Sequence, residues 1–467
     1  MAAKCIFVGG TSSHAGKSWM ATAICSWLRQ RGVRVAPFKA QNMSNNSYPC
    51  RGGGEVGRAQ AAQAFACGVE PESAMNPILL KPNSPRGSQV VLHGKVWKTL
   101  SARDYYRHAD WLREQVLRAY DDLSSRYEFM VIEGAGSVAE LNLRDVDLVN
   151  FGLATRIGAP SLLVGDIERG GIFASIIGTV SLLQPEERKL LRSFAVNKFR
   201  GDLSLFEEGR ALLEKHTGLP CLGVFPYSEA IRVADEDSLS VPLPSSTGDS
   251  TLPVAIIRFP RISNTTDFRH LGNAAWIDQP VDRNFDTVVL PGTKNTIEDL
   301  AWLRKKHLDD WIHLQHRKGA QIVGICGGYQ MLGESIQDPD GMESSIREAL
   351  GLGFLPMDTE LSNEKTVRRV HARSSRGTPF DAYEIHLGKS RWHGKPAAAF
   401  ATLEDGTQEG IIHGRIVGTY LHGALEDPRI LAELFGIHIV PETPEDSYES
   451  LAHWFDIHSR SFAELYL

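Results

Sequence analysis

The chain of 467 residues has six cysteines, at positions 5, 25, 50, 67, 221 and 326, and no Cys-x-x-Cys pair among them. That scatter excludes a zinc ribbon or a disulfide framework, and it is expected of a protein kept in a reducing cytoplasm. A long hydrophobic run is missing too. The most apolar stretch, Ile172 to Leu183, is too short to span a bilayer and contains Ser and Thr. The opening Met-Ala-Ala-Lys-Cys-Ile-Phe-Val is too short an apolar run for a signal peptide, and no cleavage site follows it. No membrane partner is therefore expected. Excess charge of one sign is small, a net −6 with no basic stripe, so no nucleic-acid partner is expected either. Internal repeats and long low-complexity segments are absent. What remains is ample for a core: 42% of residues are hydrophobic and 23% charged, over a length that suggests two to three domains.

The first half opens on a strand, a glycine loop and a helix. Lys4 to Gly10 reads as a short strand, and Gly9-Gly10-Thr11-Ser12-Ser13-His14-Ala15-Gly16-Lys17-Ser18 as the loop. Trp19 to about Gln30 shows apolar residues at helical spacing. This is the context a phosphate-binding loop requires. Successive N–H groups between Thr11 and Gly16 wrap the phosphates, Lys17 adds a point charge, and the Ser18 hydroxyl can reach Mg²⁺. Thr11 stands where GxxxxGK[ST] has its first glycine, which here sits one residue earlier.

Strands and helices then alternate. Strands are predicted at Val33 to Lys39, Phe129 to Ile132, Pro160 to Ile167, Ser193 to Phe199 and Cys221 to Phe225. Helices are predicted at Glu55 to Cys67 and within Ala102 to Tyr127. Continuous apolar strands separated by helices imply a parallel sheet covered on both faces, with ligands at the carboxyl ends of the strands. Glu133, at such an end, is either a Mg²⁺ ligand beside Ser18 or a solvated loop acid. Asp166 shares that placement. Asn197 either reads a nucleotide base or belongs to a plain strand-end turn. Two polar stretches interrupt the pattern, Lys39 to Tyr48 and Asn76 to Pro82. The first is too amide-rich for a core. It reads as a surface loop that either merely connects or hydrogen-bonds a polar substrate.

After Tyr227 the periodicity fades, and Pro242 to Ser250 has the composition of a linker. The expected division is a domain at 1–228, a linker at 229–251 and a second domain at 252–467. The second domain alternates again. Strands are predicted at Pro253 to Phe259, Thr287 to Leu290 and Ala320 to Val323, with helix over most of Thr296 to Arg317. From Val367 the strands read as antiparallel, the last ending in Gly418-Thr419-Tyr420-Leu421-His422-Gly423, and a helical tail closes the chain.

The chemical centre of this half is Gly324-Ile325-Cys326-Gly327-Gly328-Tyr329-Gln330. A cysteine at a strand-to-helix corner between glycines is held on a tight turn with its sulfur exposed. The N–H groups of the following helix lower its pKa. A buried structural cysteine is the alternative. A nucleophile needs a base, and His422, at the tip of an apolar strand, is the first choice, with His386 the second. The N–H groups of Gly327 and of the Gly292 turn would form an oxyanion hole.

Together the motifs resemble known families. The corner at Cys326 followed by Gly-Thr-Tyr-Leu-His-Gly resembles class I glutamine amidotransferases of the cobyric/cobyrinic branch. The loop ending in Gly16-Lys17-Ser18 looks like that of dethiobiotin synthetase and its relatives. The finer similarity, to the cobyric acid synthases, rests on Lys39–Ser47, Gly57–Gln63, Asn197–Asp202, Ile262–Asp267 and Tyr383–His386, and it covers essentially the whole chain. It implies an α/β protein, a P-loop parallel-sheet domain followed by a class I glutamine amidotransferase α/β domain. It implies ATP and Mg²⁺ as cofactors, and glutamine and a corrinoid as substrates. ATP would activate the b, d, e and g carboxylates of an a,c-diamidated corrinoid as acyl phosphates, for ammonia from glutamine to displace. Lys39, Gln41 and Asn42 would face that substrate. Many class I amidotransferases carry a Glu two residues after the histidine, where this chain has Ala424. The resemblance therefore implies a Cys326–His422 dyad; separately, Glu384 on another strand is the candidate to stand in for the absent acid. Ammonia would travel between the domains through an internal passage.

Two other readings compete. One is a,c-diamide synthesis on the same architecture. The other is a nucleotide-switch binding protein of the partition-ATPase type with an inert second domain. An intact Cys326 with His422, and the lack of an extra lysine early in the phosphate loop, weigh against the latter.

Overall fold

The computed structural model describes residues 3–84, 87–228, 231, 252–362, 364–393, 398–439 and 444–467. The expected linker at 229–251 lies outside these, apart from Ile231.

Six strands in the first half build one parallel sheet. Its order is Cys221–Pro226, Leu191–Phe199, Ser161–Asp166, Lys4–Gly10, Phe129–Glu133 and Val35–Phe38. The strands are apolar on both sides because both faces are covered. Along Lys4–Gly10 the period is two, as a pleated strand demands. Phe7 joins one core cluster with Phe38, Met130 and Leu163, while Ile6 and Val8 join another with Val131, Leu162 and Val164.

The second of those clusters holds a surprise in chain order. The helical tail, Pro444–His458 and Phe462–Tyr466, was expected in the second domain. It packs instead on helix Lys17–Gln30 of the first. Leu451, Phe455 and Phe462 are buried against Met20, Ile24 and Leu28. Ser26 donates to the Tyr448 carbonyl at 2.8 Å, and the Trp27 indole to Asp456 at 2.7 Å. The tail's apolar positions were legible, but not which sheet they would cover.

Two further expectations for the first half are corrected. Glu55–Gly57 is a strand paired with Ser47–Pro49, and the helix begins only at Arg58, running to Ala66. Lys39 to Tyr48 is not a surface loop. Lys39, Asn42, Ser44, Asn46 and Ser47 are all buried. Strand Gln41–Met43 starts a four-stranded sheet with Ile78–Ser84, Gly87–Leu92 and Lys95–Ser101. Polar side chains can be core here because each finds a hydrogen-bond partner.

The second domain is built on Ala275–Ile277, Val254–Ile257, Thr287–Leu290, Gln321–Ile325, Ile416–Thr419 and Ile411–His413, in that order. The first five are parallel and the last antiparallel. A long antiparallel pair, Thr366–Ser374 with Pro379–His386, flanks it. No helix among the described residues is long and apolar enough to cross a membrane.

The two halves meet through polar contacts. Ser47 N–H donates to Asn264 Oδ1 at 3.1 Å, and Thr265 N–H to Asn46 Oδ1 at 3.4 Å. Glu55 accepts from Lys81 of its own half and from Lys365 of the other. The Tyr48 and Tyr383 rings lie 5.2 Å apart.

Candidate active sites

Each sheet gathers one site at the carboxyl ends of its strands. In the second, Cys326 ends strand Gln321–Ile325 and caps the short helix Gly327–Met331. Its φ of 52° and ψ of −110° are unusual for a residue with a side chain. Such a backbone persists only where its surroundings over-determine it, and they do. Cys326 N–H bonds to the Thr419 carbonyl at 2.8 Å, and its carbonyl accepts the Gln330 N–H at 3.0 Å. Gly328 is required because a Cβ there would overlap the Leu290 carbonyl, so the corner lies directly against the Pro291–Thr293 turn. The expected exposure of the sulfur is corrected. Cys326 is 7% exposed, and its thiol points at the Ile385 carbonyl, 3.6 Å away. The helix below it starts immediately, at Gly327.

His422 follows the neighbouring strand and is fully buried. Its Nδ1 is 2.7 Å from Asp267 Oδ2, and Asp267 Oδ1 accepts the Gly423 N–H at 2.6 Å. The expectation that His422 lacks an orienting acid is therefore corrected: Asp267 supplies one. The acid comes from a 3₁₀ turn, Thr265–Leu271, that no strand-end argument reaches. Asn264, at φ 53°, starts that turn, and Asp267 N–H bonds to the Asn264 carbonyl. His422 Nε2 is buried with no hydrogen-bond partner among the described residues. Burial works against a charge on the ring. Asp267 overcomes it, and with Cys326 adding to the effect the pKa is pushed up to about 10. The Tyr383 ring stacks on the imidazole, with centroids 5.5 Å apart.

Glu384 does not stand in for the acid. It pairs with Arg368 and lies 3.7 Å from His386 Nε2. His386 is poorly placed as the base: its Nδ1 is 3.0 Å from the Gly388 carbonyl and its ring stacks on Tyr420. Gly292 lies against the base, since a Cβ there would stand 2.9 Å from His422 Cε1. The next residue's nitrogen, Thr293 N, lies 3.2 Å from where a Gly327 Cβ would be. Thus Gly292, Gly327, Cys326 and His422 do converge. A small cavity opens at Cys326, and Asn45 and Lys81 of the first half help to line it.

In the first sheet, Gly16 at φ 94° caps helix Lys17–Gln30. A Cβ at Gly16 would overlap Asn197, whose amide donates to the Ala15 carbonyl at 3.0 Å. Asn197 thus braces the loop from beneath. Thr11 N–H bonds to the Val164 carbonyl at 3.0 Å. Lys17 Nζ spans the loop, donating to the Ser12 and Gly136 carbonyls at 2.9 and 2.8 Å.

Glu133 is fully buried and is the hub of this site. Its Oε1 accepts from Ser18 Oγ at 2.7 Å and Lys39 Nζ at 2.9 Å, and its Oε2 from Gln63 at 2.5 Å. Burial opposes the charge, but Lys39 and these donors hold the carboxyl below the usual range. Glu133 is therefore not a solvated loop acid. Ser18 and Glu133 offer adjacent oxygen donors of the kind Mg²⁺ takes. Asn42 donates to Gln60 Oε1 at 2.7 Å, and Gln41 accepts from the Tyr105 hydroxyl at 2.5 Å. Lys39 and Asn42 are thus turned inward around Glu133, with Gln41 beside them. Asp166 stands apart, paired with Lys198 at 2.9 Å.

Comparison with known proteins matches both halves. The model of the CobQ/CobB/MinD/ParA nucleotide binding domain covers residues 6–241, and that of the CobB/CobQ-like glutamine amidotransferase domain covers 253–430. The cobyric acid synthase of Parabacteroides distasonis is 44% identical over 440 residues, 91% of this chain and 89% of its own. That of Rhodococcus jostii is 45% identical over 438 residues, 91% of this chain and 84% of its own. That of Dehalococcoides mccartyi is 42% identical over 451 residues, 91% and 89%.

Proposed function

The chain belongs to the cobyric acid synthases, which carry out glutamine-dependent amidation in cobalamin biosynthesis, and from that premise we propose how its residues divide the work. Cys326, His422 and Asp267 release ammonia from glutamine. The crevice of Thr11, Gly16, Lys17, Ser18 and Glu133 activates the carboxylates, which are the b, d, e and g side chains of (adenosyl)cobyrinic acid a,c-diamide. Residues 1–228 hold the activating site and residues from 252 the ammonia-releasing one, with the helical tail returning to the first.

The observation that carries this reading is the polarised His422. Its Nδ1 is fixed on a buried carboxylate, while its Nε2 is buried without a partner. That is how a histidine keeps a proton ready on the nitrogen nearer the thiol, to give to a leaving group. The proton shared between Cys326 and His422 rests on Nε2, which the Asp267 carboxylate favours, as sulfur bonds to the amide carbon of glutamine. The N–H groups of Gly327 and of the Gly292–Thr293 turn hold the resulting oxyanion, at roughly 3–4 kcal/mol per donor. His422 returns the proton to the departing NH₃, leaving a thioester that water cleaves to glutamate. Asp267 keeps Nδ1 protonated throughout and stabilises the imidazolium.

In the first half, ATP supplies the phosphoryl group that makes a carboxylate oxygen a leaving group, and Mg²⁺ offsets the phosphate charge. Ser18 and Glu133 would hold the metal. Lys17, now resting on two loop carbonyls, swings to the phosphates, and Asn197 keeps the loop in shape. Lys39 neutralises Glu133, Asn42 braces Gln60 beside it, and the half-buried Gln41 would border the corrinoid. Asn45 and Lys81 line the Cys326 cavity on the side of the first half, the side from which ammonia would leave for the first site.

The test uses glutamine, MgATP and the a,c-diamide, with the product read by mass spectrometry. Four added amides support the assignment, and additions at the a and c positions of the unamidated precursor would point to the other diamide enzyme. Cys326→Ala should lose glutamine-dependent product and keep ammonia-dependent product. Loss of both in a folded variant would sink the division of labour.

A further inference from the structure

The Cys326 cavity carries more charge than thiol chemistry requires. Lys294 and Glu343 both line it. Lys294 directly follows the Gly292–Thr293 turn, and its backbone is fixed by an N–H bond to the Arg261 carbonyl at 2.9 Å. Its half-buried ammonium has no hydrogen-bond or ion-pair partner among the described residues. Burial lowers its pKa, and the charge of Glu343 works against that fall. The other two lysines on the cavity wall, Lys81 and Lys365, are already spent on Glu55. The counter-charge Lys294 feels most is Glu343 across the same cavity, and no direct ion pair joins the two among the described residues, so a ligand carrying both charges can satisfy each.

Glu343 is presented on a loop locked from within. The buried Asp338 carboxylate accepts the N–H groups of Met342, Glu343 and Ser344 at 2.7, 3.0 and 3.0 Å. Glu343 Oε2 accepts the Thr296 N–H at 2.9 Å, which leaves Oε1 without a partner among the described residues. One cavity thus presents a thiol, an uncommitted cation and a half-committed anion. A molecule with an amide at one end and a zwitterionic α-carbon at the other matches all three.

We propose that Lys294 binds the α-carboxylate of glutamine and Glu343 its α-ammonium, so that the site accepts the free amino acid and rejects amides lacking either charge. The inference rests on the reading of Cys326 as the glutaminase nucleophile. Charge-assisted hydrogen bonds are roughly twice as strong as neutral ones, so each contact should set selectivity and not only affinity.

The test compares glutaminase kcat/KM of the full-length enzyme for glutamine, glutaramate (no α-amine) and 4-aminobutanamide (no α-carboxylate). Lys294→Met should lose about tenfold or more of the preference for glutamine over 4-aminobutanamide, while keeping its preference over glutaramate. Glu343→Gln should do the reverse. Discrimination unchanged in both variants overturns the assignment, and so does an equal loss against both analogues, which marks general damage to the site. Unfolding midpoints check that each variant folds, and Lys294→Gln replaces a Lys294→Met that does not. A diazoketone analogue of glutamine separates the two levels. If wild-type Cys326 is not alkylated, the nucleophile reading fails. Alkylation with unchanged discrimination defeats only the present inference.

Discussion

Arg58 donates through Nη2 to both carboxylate oxygens of Glu426, at 3.0 Å each. The contact crosses between the two halves. Arg58 is the first residue of the nine-residue helix whose Gln63 holds Glu133, and Glu426 lies four residues past His422. The same guanidinium lies over the rings of Tyr48 and Tyr383, and Tyr383 stacks on His422. One short helix therefore touches the surroundings of both sites.

Arg58→Met should destabilise the protein by about 3 kcal/mol, because it strands the buried Glu426 charge. Arg269, 3.7 Å from Glu426, covers only part of the loss. Arg58→Met with Glu426→Gln should recover most of it. Denaturant unfolding of the two single variants and the double variant gives the coupling directly. Coupling near zero would mean the pair does not bind the halves together.

Asp267→Asn keeps the shape of the side chain but removes the charge that fixes His422. Glutamine-dependent turnover should fall by about two to four orders of magnitude, with ammonia-dependent amidation retained. Steady-state rates with each nitrogen source check this. Unchanged glutamine turnover would return the site to a dyad.

The raised pKa of His422 makes part of the stability pH-dependent. The unfolded imidazole loses its proton near its ordinary value of about 6.5, whereas the folded one, buried but held by Asp267, keeps it to about 10. The contribution is therefore complete below about 6.5 and is lost as pH rises through about 10. The stability gap between wild type and Asp267→Asn should narrow steadily from pH 6.5 to 10.5 in urea titrations. A gap that is flat or widens over that range contradicts the charged His422.

Legibility in the sequence followed the range of each interaction. Continuous apolar strands gave away both sheets, strand ends pointed to Glu133 and His422, and the glycine loops pointed to Lys17 and Cys326, because position and chemistry coincide there. Asp267 did not show. It acts on a histidine 155 residues away in the chain, from a turn that carries no periodicity. The amides of Asn46 and Ser47 read as a solvated loop because their partners, Asn264 and Thr265, belong to the other half. Glu55 read as helical because its neighbours favour helix, and its ion pairs with Lys81 and Lys365 outweigh that local preference. Lys294 and Glu343 offered only a residue after a glycine turn and an acid in a polar stretch.

Deleting residues 444–467 should prevent the first half from folding. Leu451, Phe455 and Phe462 are almost wholly buried there, and each forfeits about 1.5–3 kcal/mol on exposure. Net domain stability is only about 5–15 kcal/mol. Near-UV circular dichroism of the truncated chain reads the outcome, and a truncated protein with native packing and nucleotide binding would refute it.

That tail also sets a timetable. Protein leaves the ribosome amino end first, and domains ordinarily close as they emerge. Here the face of helix Lys17–Gln30 around Met20, Ile24 and Leu28 waits uncovered until residues 444–467 are synthesised, more than four hundred residues later. The first sheet's cover is thus synthesised only after the whole of the Cys326 domain at 253–430, so the nucleotide site closes after its ammonia source has been made.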